Sequence, residues 1–125
     1  MARPEDILQK SVCGHLDVAL PSSAWYCSIP NGSVLAGDPQ QRGRQMNKLK
    51  STGLKVGAPD LVICWSGRFI GIELKAGKGA LSDNQKDVSD KITLAGGFWS
   101  CCRSLADVEA FLMMLGVPLR ARLLV

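Results

Sequence analysis

Hydrophobic and polar positions change period several times along the chain, and the changes divide it into elements. From Pro4 to about Leu20, Ile7, Leu8, Val12, Leu16 and Val18 supply the apolar positions of a helix. Pro4 suits a first-turn position, and Glu5 and Asp6 favour the positive end of the helix dipole. Pro21-Ser22-Ser23 ends that helix, and Ala24 to Ile29 reads as a strand bounded by Pro30-Asn31-Gly32, with Asn31 most simply a turn residue. Met46, Leu49 and Leu54 are spaced for a short helix around Gln40 to Ser51, weakened by Gly43. Leu61 to Trp65 and Phe69 to Leu74 are β-branched and aromatic runs separated by Ser66-Gly67, a hairpin.

After a glycine-rich loop at Ala76–Ala80, Ser82 to Gln85 has the form of a capping box, and the helix it opens runs through Val88 and Ile92 to Gly96-Gly97. Phe98 to Cys102 is a further strand. Ser104 caps a last helix whose apolar positions are Leu105, Val108, Phe111, Leu112 and Leu115, ending at Gly116 and Pro118. From Leu119 to Val125, Arg120 and Arg122 alternate with apolar residues, as in a short edge strand or a tail contacting a second copy. The order predicts an α/β fold: a mixed sheet flanked by helices, its last strand parallel to a hairpin strand.

The hairpin fixes a register. With Ser66-Gly67 as a two-residue loop, Trp65 pairs with Arg68, and counting outward sets Asp60 opposite Glu73. Alternation puts Lys75 on the face of Glu73, and Leu61, Ile63, Ile70, Ile72 and Leu74 on the core face. Two carboxylates directly opposite one another destabilise a sheet, so something must compensate. A divalent cation between them is one answer. Neutralisation by Lys75 alone, a plain structural role, is the other.

Composition narrows the class. The chain has 125 residues, which suits one domain spanning 1–125, and a net charge of +4, too modest to announce a nucleic-acid partner. Five cysteines, an odd set with no CxxC, argue against a disulfide framework or zinc site and for reduced thiols in a cytoplasm, bacterial or that of a phage's host. No signal peptide opens the sequence, and no apolar run approaches the roughly 20 residues that span a bilayer. Charge is unevenly spread: Arg42, Arg44, Lys48, Lys50 and Lys55 are five of the 15 Lys and Arg, with no acid among them. Alone, such a run is a solvated face. Beside a carboxylate hairpin it reads better as a contact to a phosphate backbone, with Lys78 of the glycine-rich loop as a further candidate. Glu5 and Gln9, four apart, share a helix face. His15 carries no assignment, since a lone helical histidine is more often a surface or packing residue.

Gly57-Ala58-Pro59-Asp60 followed by Glu73-Leu74-Lys75 resembles the PD-(D/E)XK nuclease superfamily, and most of the chain resembles one branch of it, the VRR-NUC (virus-type replication-repair nuclease) domain. Glu5 in the first helix, the Pro30-Asn31 turn and Gln85 opening the helix after the hairpin complete the likeness. Val88 departs from it, standing where an aromatic residue often follows the glutamine.

The resemblance implies a restriction-endonuclease-like mixed β-sheet flanked by helices, with an αβ…ββαβ core. It implies Asp60 and Glu73 as ligands of Mg²⁺ or Mn²⁺, Glu5 as a further acidic metal-site residue, Lys75 as catalytic and Gln85 as part of the active site. The activity implied is metal-dependent hydrolysis of DNA phosphodiesters by an endonuclease. The substrate expected is branched DNA such as four-way (Holliday) junctions, and the enzyme a homodimer. Two other readings stand beside it: a non-catalytic DNA-binding module that keeps the fold, and a duplex-cutting restriction-type nuclease, disfavoured because so short a chain has no extra target-recognition domain.

Overall fold

The computed structural model describes residues 3–30 and 35–123. Four helices and four strands follow in the order α1 (Pro4–Ala19), β1 (Ala24–Ser28), α2 (Pro39–Ser51), β2 (Leu61–Trp65), β3 (Arg68–Leu74), α3 (Asp83–Leu94), β4 (Phe98–Cys102) and α4 (Leu105–Met114). The strands form one sheet in the order β1-β2-β3-β4. β1 and β3 both run antiparallel to β2, and β4 runs parallel to β3, as a strand returning through the α3 crossover can.

The expected hairpin register is the observed one. Trp65 pairs with Arg68 and Leu61 with Ile72, so the next positions outward are Asp60 and Glu73. Ser66 and Gly67 have φ of 53° and 75°, the doubly positive turn that matches strand twist. Arg68 then reaches from the turn to the carbonyl of Leu115 (2.7 Å), tying the hairpin tip to the end of α4.

One face of the sheet carries Leu61, Ile63, Ile70, Ile72 and Leu74, all fully or almost fully buried, against Val12, Leu16 and Leu20 from the first helical segment and Val108, Phe111 and Leu112 of α4. The buried stripe of α1 is narrower than its apolar content suggests, because Ile7 and Val18 lie on its exposed side. Among the described residues, no helix is long and apolar enough to cross a membrane.

One of the two readings of the C-terminal stretch, the edge strand, is corrected. Leu119–Val125 contains no strand over its described part, 119–123. Its hydrogen bonds run instead to the chain's own helices: the Arg120 N–H donates to Ala19 O (2.7 Å), its Nε to Leu20 O (2.8 Å), and the Leu123 N–H to Glu109 Oε2 (2.8 Å). Alternation there reflects a tail whose arginine satisfies carbonyls left open at the end of α1, not sheet pairing. The short helix expected around Gln40 to Ser51 is α2, and no residue of it is buried. Its ends are fixed locally: Pro39 occupies the first turn, and Asp38 and Gln41 form a reciprocal capping box.

The segment after α2 is seated against α3 through Gly57, whose φ is +91° and whose hypothetical Cβ would lie 2.5 Å from the backbone C and O of Asn84. Gly53 has φ +111° but open space around it. Gly53→Ala is therefore expected to cost about 1 kcal/mol in urea denaturation, the conformational penalty alone, and Gly57→Ala at least roughly twice that, because α3 must also shift.

Candidate active site

The carboxylates sit at the end of the sheet where β1, β3 and β4 finish and β2 begins. Pro59 is buried with its ring against β3 at Gly71, where a Cβ would meet Pro59 Cγ at 3.1 Å. This contact sets the direction in which the chain enters β2, and Asp60 follows. The Asp60 carbonyl accepts from the Ile29 N–H (2.9 Å), and its side-chain Oδ2 accepts from the Leu74 N–H (2.7 Å). Asp60 is thereby fixed between the end of β1 and the end of β3, beside Glu73.

Glu73 is only 3% exposed. Its Oε1 accepts from Gln85 Nε2 at 2.7 Å, while Oε2 is buried without a partner. Gln85 also completes the capping box of α3: its Oε1 accepts from the Ser82 N–H (2.9 Å), and its own N–H donates to Ser82 Oγ (3.1 Å). The cap and the site are thus not alternatives. The two ends of one amide serve both, and the N-terminus of α3 is locked to the buried carboxylate.

Lys75 follows at the same end of the sheet, its N–H bonded to Cys102 O (3.1 Å). Among the described residues, basic and acidic side chains meet within 4 Å only at Lys91–Asp87 (3.0 Å) and His15–Glu109 (3.3 Å), so Lys75 is not spent in a contact salt bridge to either acid. A purely structural lysine neutralising the carboxylates would be expected to touch them.

Asp60, Glu73, Lys75 and Gln85 line a cleft of about 570 Å³, whose other wall is α1 with Glu5 and Gln9. Arg3, Asp6, Lys10 and Cys13 of the same helical segment also line it, as do Ser28, Ile29 and Pro30. Arg3 and Lys10 belong to no sequence motif; only the spacing 3, 6, 10, 13, one helical stripe, could have signalled them. Asn31 lies outside the described residues. His15 faces α4 rather than the cleft, in keeping with a packing role.

The basic candidates fall in two places. Arg42, Arg44, Lys48 and Lys50 are exposed on α2 and Lys55 on the segment after it, all outside the cleft lining. Lys78 is exposed on the loop after β3, whose Gly79 lies beside Lys75 and Glu5: a Cβ there would be 3.7 Å from Lys75 Cδ and 3.9 Å from Glu5 Oε1.

Electrostatics at the carboxylates are unfavourable in the absence of a cation. Burial first, then the charge of Asp60, pushes Glu73 up to about 8, with Lys75 opposing. Asp60 is also raised, chiefly by burial, against the Leu74 N–H, which favours its charged form. Facing carboxylates with a buried, unpartnered oxygen form the donor set that hard divalent cations take. Two ligands fit that role. Among the described residues no third His, Cys, Asp or Glu joins them in a metal-sized cluster, and Glu5 shares the cleft without closing such a group.

A mixed four-stranded sheet flanked by helices, with β4 returning parallel to β3 through α3, has the architecture of a restriction-endonuclease-like fold. Among solved structures, the chain is similar to a protein described as a "VRR_NUC domain protein", with a TM-score of 0.65 and 18% sequence identity over 91% of this chain and 88% of that one. At that identity the likeness is one of fold, and it is the VRR-NUC fold. No family model and no curated protein sequence matches the chain.

The raised carboxyl sets a pH dependence. Between its ordinary value of 4.5 and about 8, the folded protein holds a proton on Glu73 that the unfolded chain has released. Stability of the metal-free protein is therefore greatest at the acid end of this window and falls as pH rises through it, by up to about 1.4 kcal/mol per pH unit for one proton. Urea denaturation between pH 5 and 8 measures this, and Glu73→Gln is expected to flatten the slope.

Proposed function

We propose that this protein is a Mg²⁺- or Mn²⁺-dependent DNA endonuclease acting on branched DNA, four-way junctions in particular, as a homodimer. The observation that carries the reading is the facing Asp60–Glu73 pair, Glu73 buried, with Lys75 beside it and free of an ion pair among the described residues. Asp60 and Glu73 would hold the cation, with Glu5 as a further acidic group, and the bound ion would supply Lewis-acid stabilisation of charge on the phosphate oxygens.

The remaining work falls to the chain itself. Lys75, charged and with three donors, orients an attacking water through its lone pairs and stabilises negative charge developing on it. Gln85 holds Glu73 in one rotamer by the 2.7 Å bond, and the Leu74 N–H does the same for Asp60. Arg42, Arg44, Lys48, Lys50, Lys55 and Lys78 contact phosphates flanking the cut. A two-fold dimer would present two such sites to a two-fold branched substrate.

A second reading is a DNA-binding module without catalysis that keeps the fold; two carboxylate ligands do not favour it, since Mg²⁺ is commonly held by one or two carboxylates with water and substrate phosphate completing its shell. A cleavage panel of linear duplex, single strand, 5′ flap and four-way junction decides between them. Asp60→Ala, Glu73→Ala and Lys75→Ala are each expected to lower the junction-cleavage rate by about 100-fold or more, with junction affinity in Ca²⁺ retained. Cutting that survives excess chelator would exclude the metal-dependent mechanism, and paired symmetric nicks would support the dimer. Sequence-specific cutting of linear duplex would instead favour the restriction-type reading.

The basic helix has its own signature. Replacing Arg42 and Arg44 together with Gln should weaken binding to all DNAs alike. The slope of log K against log[salt] should fall by about 0.9 for each phosphate no longer neutralised. Titrations at several salt concentrations measure it.

A further inference from the structure

The loop that follows Lys75 is composed as a mobile one, Ala76-Gly77-Lys78-Gly79-Ala80, yet it is held at a defined place. Within it, the Gly79 N–H reaches Ala76 O at 3.4 Å, and Gly77 turns with φ +60°. The side-chain bond holding the turn comes from outside the hairpin: Arg103 Nη1 donates to Gly77 O at 3.0 Å.

Arg103 is itself well fixed. It follows β4 directly, and β4 leaves the sheet beside β3, with the Lys75 N–H on Cys102 O. Its backbone N–H donates to Asp107 Oδ2 (2.9 Å), and the Asp107 N–H donates to Ser104 Oγ (3.1 Å), so the cap that opens α4 also sets the start of the Arg103 side chain. From there the guanidinium spans to the turn, and the turn lies against the Lys75 stem and the Glu5 carboxylate. The connection runs from the capped core helix, through one charged side chain, to the backbone covering two groups of the cleft.

We propose that Arg103 is a positioning residue of this site: by anchoring the Ala76–Gly79 turn to the end of β4, it fixes the backbone after Lys75 and so the placement of Lys75 and Lys78 along a bound phosphodiester strand. Arginine suits the role because its rigid fork loses little freedom per bond, and a donor carrying charge bonds a carbonyl more strongly than a neutral one. The catalytic consequence rests on the nuclease reading; the anchoring does not.

The experiment has two arms, on the full chain. In the first, a lysine-specific protease is added to wild type, Arg103→Ala and Arg103→Lys, and the cut after Lys78 is followed by mass spectrometry. Loss of a charge-assisted bond should speed that cut about tenfold in Arg103→Ala, with Arg103→Lys between the two. All three proteins keep the backbone bond to Asp107, and an unchanged thermal midpoint shows that α4 is intact. In the second arm, Arg103→Ala is expected to lower the single-turnover cleavage rate about tenfold while the Kd for junction DNA stays within about twofold, and Arg103→Lys to restore most of the rate.

A cut after Lys78 at the wild-type rate overturns the anchoring. An opened turn with an unchanged single-turnover rate overturns the positioning role. If the wild type cleaves none of the DNAs, the nuclease reading falls, and the protease arm still decides whether Arg103 holds the turn.

Discussion

Two carboxylates held face to face at the end of a sheet, one of them buried, are an electrostatic burden that the surrounding residues are arranged to bear. Like charges opposite each other destabilise strand pairing, and burial raises the cost of ionising them. Each neighbour of the pair relieves part of this. The Leu74 N–H solvates Asp60, the Gln85 amide solvates half of Glu73, and Pro59 on Gly71 holds the strand entrance so that neither acid can turn away. One oxygen of Glu73 has no partner beyond the facing carboxyl of Asp60. An apolar or amide side chain there would remove that frustration, and the frustration is the physical ground for reading this end of the sheet as a functional site.

The parts legible in the sequence were those where local and long-range demands coincide. The Ser66-Gly67 turn admits a two-residue hairpin, and a slip of one residue would have turned Ile63, Ile70 and Ile72 out to solvent, so the Asp60–Glu73 pairing followed from counting. Capping signals at Ser82 and Ser104 are equally local, and both caps form. What escaped depended on contacts far apart in sequence. The alternation of Leu119 to Leu123 imitates a strand, but its partners are carbonyls at the end of α1, about a hundred positions earlier. Gln85 carries both a cap and a site reading in the sequence, which does not show how one amide serves both through its opposite ends. Arg3 and Lys10 belong to no motif, and reach the cleft only because α1 packs beside the end of the sheet.

The division of labour between the face and the end of the hairpin explains how a small sheet can hold such a site. The core face is nearly continuous hydrocarbon, packed by α1 and α4, and supplies the stability against which the carboxylate end is strained. α3 contributes little to that core, having no buried residue, but delivers Gln85 and receives Gly57. Its role is registration of the two halves of the site more than burial.

α2 has a different standing from every element that touches the carboxylates. Like α3 it has no buried residue, but unlike α3 it brings no side chain to the cleft, and it is closed by caps within its own sequence and followed by a glycine turn with room around it. A helix of that length without a packed face is marginal by itself. Its removal or replacement therefore leaves the core almost unchanged, which makes it an exchangeable module. On the proposed nuclease reading, its charge and length could change without disturbing the Asp60–Glu73 end of the sheet, so contact with substrate and catalysis would reside on separate parts of one short chain.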